Sequence, residues 1–177
     1  MRILIVYQSH TGTVRTCVEQ LSRELSRLDV DLCDLDERVL LPADYDAVIL
    51  GGYIHADRLP KEMTRYIKAF SEDMLKRPLG LFLCCGYLDN YEEYVRKNFP
   101  AELIDHSFLT IPFGGELKPE KARGMDRLLL RIIRSTIQNA ADHNEHEYTR
   151  VMPEILPENI SRMASMLKGA LQSIGRG

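Results

Sequence analysis

The sequence predicts an α/β fold in which helices cover both faces of a parallel sheet. Short apolar runs alternate along the chain with longer segments whose apolar residues recur every three or four positions. These patterns are typical of strands buried on both faces and of amphipathic helices. No Gly/Ser linker and no internal repeat divides the chain. We therefore predict one doubly wound domain spanning residues 1–177.

The first half of the chain supplies three buried strands and one edge strand. Apolar runs predict strands over residues 3–7, 47–50 and 79–85, and alternating apolar and acidic residues predict an edge strand over 30–35. A helix begins after Pro60, which is typical of a helix start. The apolar stripe of the first helix comprises Val14, Val18, Leu21, Leu25 and Leu28.

The second half adds a short helix over 91–98, a strand over 108–113 and two helices over 122–141 and 157–174. The residues between these last two helices, 142–156, are polar and predict a loop. Right-handed crossovers between parallel strands leave few possible topologies. One face of the last helix carries Ile160, Met163, Leu167, Leu171 and Ile174.

Composition excludes several classes of protein. The chain has 23 basic and 26 acidic residues and a net charge of −3, whereas nucleic-acid binders are usually basic. No apolar run is long enough to span a membrane. The four cysteines, two of them adjacent, form neither a disulfide framework nor a paired zinc motif. We expect a cytoplasmic protein with reduced thiols.

Ligands of such sheets bind at the carboxyl ends of the strands, where three segments are predicted: 9–13, 51–58 and 85–91. The first, SHTGT, joins a buried strand to a helix and offers hydroxyl and backbone N–H donors at a helix N-terminus. Such a turn binds phosphate. The alternative is a Ser/Thr-rich loop that only caps the helix.

Three motifs resemble one known family. Residues 7–13, YQSHTGT, resemble the Ser/Thr-x-Thr-Gly phosphate loop of flavodoxins, and Cys85-Gly86 with Tyr87 and Tyr91 resembles their ring-contacting loop after the fourth strand. Residues 113–119, FGGELKP, lead into DRLL at 126–129. This stretch is similar to the menaquinone-dependent protoporphyrinogen oxidases, a branch with the flavodoxin fold. The likeness extends over residues 1–174 and is weak between motifs.

The resemblance implies a flavodoxin-like three-layer α/β/α sandwich, a five-stranded parallel sheet in the order 2-1-3-4-5, and FMN as cofactor. Val14 stands where flavodoxins often carry another Thr and offers its backbone N–H instead. Residues 87–98 form a shorter segment than in the oxidase branch. The implied phosphate contacts are Ser9, His10, Thr11, Gly12, Thr13 and Val14. The implied ring contacts are Gly52, Tyr53, Ile54, His55, Cys85, Gly86, Tyr87 and Tyr91.

The glycines of the second segment have two interpretations. Gly51 and Gly52 allow a backbone to approach the flavin ring closely, or they simply end a strand with a turn.

Three functions are compatible with these features. The first is an FMN-dependent oxidoreductase that passes electrons from a reduced substrate, such as a porphyrinogen, to a quinone, with the flavin and no side chain carrying the chemistry. The second is a flavodoxin-type carrier that serves a partner redox enzyme. The third is an accessory module that binds FMN weakly.

Residues 118–134 carry six basic and two acidic residues, a local charge of +4. A cationic segment of this kind can meet anionic lipid, an acidic redox partner or the carboxylates of a substrate. The alternative is the solvated face of an outer helix. Because strongly acidic surroundings are typical of low-potential flavodoxins, this basic segment favours the oxidase-like function.

The remaining reactive side chains have plainer interpretations. Cys17 and Cys33 are typical core residues. Cys84 and Cys85 are small residues that suit a strand end, and Cys85 is expected beside the flavin without thiol chemistry. His143, His146 and Glu147 indicate a solvated loop, since no fourth metal ligand has a clear spacing. No nucleophile is paired with a base in the sequence, so hydrolase chemistry has no support.

Overall fold

The computed structural model describes residues 1–86, 88–115 and 154–174. At its centre lies a five-stranded parallel sheet in the order β2-β1-β3-β4-β5, which confirms the predicted fold and strand order. The strands are β1 Arg2–Gln8, β2 Asp29–Asp34, β3 Ala47–Tyr53, β4 Leu79–Cys84 and β5 Leu109–Gly114.

Helices cover both faces of the sheet. The helices α1 and α5 pack on one face, and α2, α3 and α4 pack on the other. Neither α4 nor the short 3₁₀ turns Pro42–Asp44 and Leu88–Asn90 were predicted. The helix predicted over 122–141 and the basic segment 118–134 lie outside the described residues. The helices are α1 Thr13–Glu24, α2 Lys61–Met74, α3 Tyr91–Asn98, α4 Ala101–His106 and α5 Pro157–Ile174.

The apolar run of β1 serves two cores at once. Ile3 and Ile5 belong to the core beneath α1 and α5, whereas Leu4 and Val6 belong to the core beneath α2 and α3. All four side chains are fully buried. Because successive side chains of a strand point to opposite faces, a central strand of a two-sided sheet needs an unbroken apolar sequence.

The strand β3 is longer than predicted. Gly51 and Gly52 are paired within the sheet, opposite Phe82 and Leu83 of β4, so the connecting loop starts only at Ile54. A Cβ at Gly51 would lie 2.2 Å from the Phe82 carbonyl oxygen. The packing of Phe82, whose ring stacks on another phenylalanine, therefore requires glycine at this position.

The chain leaves β5 and returns to it at one point. The N–H of Gly115 donates to the carbonyl of Glu154 at 3.0 Å, and the N–H of Leu156 donates to the carbonyl of Phe113 at 3.0 Å. These bonds form a short antiparallel bridge beside Gly114. Gly115 and Glu154, which flank segment 116–153, are therefore held together at the carboxyl edge of the sheet.

Candidate functional site

Three loops meet where β1, β3 and β4 end. These strands are parallel neighbours, so their carboxyl ends lie along one edge of the sheet. Backbone bonds join the loop after β3 to the end of β4 and the loop after β4 to the end of β5: the N–H of Ile54 donates to the Cys84 carbonyl at 3.1 Å, and that of Cys85 donates to the Gly114 carbonyl at 3.0 Å. The structure thus brings together the predicted segments after the three strands.

The turn from β1 into α1 depends on Gly12. This residue is the N-cap of α1 and has a φ of 88°, in the left-handed region that favours glycine. Gly12 has no side chain that could cap the helix. The Ser9 hydroxyl instead accepts a hydrogen bond from the N–H of Arg15 at 3.2 Å. The capping interpretation therefore accounts for one amide of the first turn.

Thr13 has the features expected of a ligand-binding residue. Its side chain is 5% exposed, and its Oγ1 atom is buried with no hydrogen-bond partner among the described residues. Leaving a buried hydroxyl unpaired costs about 1–3 kcal/mol. A phosphate oxygen beside this hydroxyl would accept a hydrogen bond from it, so the residue suits an anion at the helix N-terminus.

At this turn the donors available to a ligand are backbone N–H groups and a hydroxyl, because the nearest cation in sequence pairs with carboxylates. The first turn of α1 carries no acidic residue, which favours an anion. The guanidinium of Arg15 pairs with Asp34 at 2.7 Å and with Glu37 at 3.1 Å. The cation nearest to the turn in sequence therefore neutralises the end of β2.

Two other buried side-chain atoms have no hydrogen-bond partner among the described residues. They are the Oε1 of Gln8, at the end of β1, and the hydroxyl of Tyr91, at the start of α3. The Nε2 of Gln8 donates to Asp36 at 2.6 Å. The sequence analysis missed Gln8, although a polar residue that ends an apolar strand is a usable signal.

An aromatic side chain of the first loop approaches one at the end of β3. The rings of His10 and Tyr53 have centroids 5.9 Å apart and planes inclined by 31°. The ring of Tyr91 instead packs against the core on the α2 side, and burial raises the pKa of its hydroxyl. Of the predicted tyrosines, Tyr53 is thus beside the first loop, Tyr91 faces the core, and Tyr87 lies outside the described residues.

The loop after β3 is a tight two-residue turn. His55 and Arg58 exchange two backbone hydrogen bonds of 3.0 Å, and Ala56 and Asp57 between them have φ values of 46° and 63°. This is the geometry of a type I′ turn, which usually contains Asn-Gly. Since the sequence here is Ala-Asp, no local signal could have predicted it.

The adjacent cysteines face opposite cores. Cys84 belongs to the core beneath α1, where its sulfur lies 4.0 Å from that of Cys17, and Cys85 belongs to the other core. The contact with Cys17 and burial raise the pKa of Cys84. No disulfide joins the chain's four cysteines, all of which are described.

The backbone beyond Cys85 is closely packed. A Cβ on Gly115 would lie 2.8 Å from the Cys85 carbonyl oxygen. Cys85 and Gly86 therefore lie directly against the point where the chain leaves β5.

Two absences hold for residues 1–86, 88–115 and 154–174. No helix in these ranges is long and apolar enough to cross a membrane. The same ranges contain no group of three potential metal ligands, whereas His143, His146 and Glu147 lie outside them.

Comparison with known proteins identifies the family. The flavodoxin domain family matches residues 4–144, and no curated protein matches the chain. A Fusobacterium nucleatum flavodoxin bound to flavin mononucleotide has a TM-score of 0.55 at 11% identity and covers 95% of this chain and 97% of that chain. A Streptococcus pneumoniae TIGR4 flavodoxin has a TM-score of 0.52 at 15% identity and covers 96% and 99%. At these identities the two structures establish the fold, and the family match over most of the sequence shows that this chain belongs to the flavodoxin domain family.

Proposed function

We propose that this protein binds FMN at the carboxyl edge of its sheet and transfers electrons through it. One observation carries the proposal. The buried side-chain atoms of Gln8 and Thr13 that have no partner in the described part of the chain lie at the end of β1 and the start of α1, at this edge. A similar solved structure of the same fold is a flavodoxin bound to FMN.

The residues at the edge fit the two parts of this cofactor. Gly12 begins α1 directly after β1, so the first-turn amides of the helix and the buried, unpaired Thr13 hydroxyl lie together at the helix N-terminus, which suits a phosphate. The residues that hold the phosphate are Ser9, His10, Thr11, Gly12, Thr13 and Val14.

The flavin ring belongs against the other two loops. Ile54 is half-buried and His55 is exposed, whereas Gly52 is buried in β3 and offers only backbone. FMN supplies one- and two-electron redox chemistry when bound, while the protein positions the ring and limits its contact with water. The residues that contact the ring are Gly52, Tyr53, Ile54, His55, Cys85, Gly86, Tyr87 and Tyr91.

The finer function that we favour is an FMN-dependent oxidoreductase that resembles menaquinone-dependent protoporphyrinogen oxidase. It would pass electrons from a reduced substrate, such as a porphyrinogen, to a quinone. Support comes from the FGGELKP motif and the six basic residues of segment 118–134. Gly115, which precedes segment 116–153, lies against Cys85 at the edge where the ring is expected, and it is bonded to Glu154, which follows the segment.

In this proposal the whole chain is one cytoplasmic domain. Its basic segment 118–134 contacts the anionic inner face of a membrane, where a quinone is available, or an acidic redox partner protein.

A second function, electron carriage to a partner redox enzyme, is favoured by the loop after β4. Between Cys85 and α3, the described residues are Gly86 and the 3₁₀ turn Leu88–Asn90, so the described part of this loop is short. Leu88 in this turn is 45% exposed. An exposed apolar side chain beside the expected flavin suits brief contact with another protein.

The decisive experiment combines an FMN titration with an anaerobic assay of protoporphyrinogen oxidation, with and without a menaquinone analogue. We expect stoichiometric FMN binding and quinone-dependent turnover. FMN binding without turnover would leave the carrier function, and absence of FMN binding would refute both functions.

A matched deletion variant tests the role of the basic segment. Residues 116–153 are replaced by a short Gly/Ser linker, which the 3.0 Å bond between Gly115 and Glu154 permits without moving β5 or α5. We expect this variant to keep FMN and to lose turnover with the quinone. Full turnover in the variant would exclude the segment from the reaction.

A further inference from the structure

The turn after β3 holds a backbone conformation that its own residues disfavour. Ala56 and Asp57 both have positive φ values, 46° and 63°, and both carry a Cβ. Non-glycine residues keep such conformations only where surrounding contacts fix them. Something outside the turn must therefore hold it.

The contacts that hold the turn come from the last residue of α3. The Nδ2 of Asn98 donates to the Asp57 carbonyl at 2.9 Å, and its Oδ1 accepts from the N–H of Leu59 at 2.8 Å. One side-chain amide thus pairs with backbone groups two residues apart, as a neighbouring strand would. A third bond, from Nδ2 to the Tyr94 carbonyl at 2.9 Å, fixes the amide to its own helix.

The other contacts between α3 and the turn are weaker. Lys97 pairs with Asp57 at 3.1 Å, but the aspartate is half exposed, and exposed ion pairs contribute little. Arg58 also donates to the Lys97 carbonyl, at 3.2 Å, from an exposed position. The Asn98 amide is therefore the main link between α3 and the turn.

We propose that Asn98 is a positioning residue that holds the 54–58 turn in its strained form and thereby sets the affinity for FMN. The inference rests on the proposed function, in which Ile54 and His55 of this turn contact the flavin ring. A turn that is already ordered needs no ordering when the ring binds, which strengthens binding. Without the amide, the turn relaxes to conformations with negative φ, and binding has to restore the strained one.

Three variants test the proposal. Asn98→Ala removes the link. The double variant Asn98→Ala with Ala56→Gly also introduces a residue that adopts positive φ without strain. Asn159→Ala is the matched control, because the Nδ2 of Asn159 also donates to a backbone carbonyl, that of Pro112, at 2.8 Å. The measurements are FMN affinity by fluorescence quenching and hydrogen exchange of the Leu59 amide in the FMN-free protein.

We expect Asn98→Ala to weaken FMN binding about tenfold, the effect of losing roughly one net hydrogen bond. The Leu59 amide should exchange faster in this variant, because its acceptor is gone. The double variant should recover most of the FMN affinity, while its Leu59 amide stays unprotected. The Asn159→Ala variant should match the parent in both measurements.

Several results would overturn the proposal. Parent-like FMN affinity in Asn98→Ala would exclude a role for the amide in binding while leaving the proposed function intact. An equal loss of affinity in Asn159→Ala, or no recovery in the double variant, would show a general structural effect. If the parent itself fails to bind FMN, the proposed function fails and this inference fails with it.

Discussion

The polar groups at the two ends of β1 differ in their hydrogen bonding. At the amino end, the N–H of Arg2 donates to Asp46 at 2.7 Å, and its guanidinium lies 3.2 Å from Asp31 and 4.7 Å from the centre of the Tyr45 ring. The Tyr45 hydroxyl donates to the same Asp31 carboxylate at 2.8 Å. At the carboxyl end, the buried Oε1 of Gln8 and Oγ1 of Thr13 have no described partner.

This difference separates groups that stabilise the fold from groups that suit a ligand. Both ends belong to the same central strand and support the same sheet. Buried polar groups in native proteins are usually hydrogen-bonded, so unpaired groups that cluster at one end need an explanation. The paired end should matter for stability alone, and the unpaired end for binding.

The largest effect should come from disrupting the turn at the carboxyl end. Combining Thr11→Ala with Gly12→Leu removes a hydroxyl and forces a branched side chain into a φ of 88°. Bonds to a charged group contribute about 1.5–3 kcal/mol each, so we expect FMN affinity to fall at least about a hundredfold. A fluorescence titration measures the affinity.

Gly169→Ala is the control for this variant, since a Cβ at Gly169 meets nothing within 4 Å. It should bind FMN like the parent. Unchanged FMN affinity in the double variant would remove the phosphate from this turn.

Thr13→Val should change stability and binding in opposite directions. Replacing an unpaired buried hydroxyl by a methyl group should stabilise the FMN-free protein by about 1 kcal/mol, whereas losing a bond to phosphate should weaken FMN roughly tenfold or more. Urea unfolding and FMN titration measure the two effects. Thr64→Val, which alters an exposed hydroxyl bonded to the Pro60 carbonyl, is the control. Loss of both stability and affinity in Thr13→Val would indicate a structural hydroxyl.

A pair of tyrosine variants compares a paired hydroxyl beside the amino end of β1 with the unpaired hydroxyl at the start of α3. Tyr45→Phe removes a hydroxyl bonded to Asp31 and should destabilise the protein by about 1 kcal/mol. Tyr91→Phe removes an unpaired hydroxyl and should leave stability unchanged or higher. Urea unfolding measures both variants. Equal destabilisation by the two changes would contradict the expected difference between the paired hydroxyl and the unpaired one.

The smallest effect concerns alkaline pH. Burial, with the bond to Asp31, raises the pKa of Tyr45 to about 12, above the value of about 10 in an unfolded chain. The contribution to stability is therefore fully present below about pH 10 and is lost as the pH rises through about 12. Tyr45→Phe should show a shallower decline of the urea midpoint over this range. A decline equal to that of the parent would show that Tyr45 does not titrate with folding.

Most of the fold could be predicted because its signals are local. Burial can be predicted from residues that are close in sequence, as in the apolar run of β1, the stripe of α1 and the face of α5. The extension of β3 through Gly51 could not be predicted, because the reason for the glycine is Phe82 on the next strand. The six residues of α4 are too few to show a helical period.

The candidate site was predicted unevenly for the same reason. The SHTGT turn has a motif of its own, so its position was confirmed, while FMN contacts at its residues remain a prediction. Asn98 carries no such signal, since its partners Asp57 and Leu59 lie about 40 residues earlier in the chain. The unpaired state of the Thr13 hydroxyl is likewise visible only once its surroundings are known.

The bridge between Gly114 and Ile155 has an evolutionary consequence. The entropy of closing a flexible loop grows only with the logarithm of its length, so doubling the chain between two joined ends costs only about 0.6 kcal/mol. At this position the sheet can therefore accept a longer, shorter or different stretch of chain with little effect on folding. Insertions and deletions between Gly115 and Glu154 can therefore arise in evolution while β5 stays paired in the sheet.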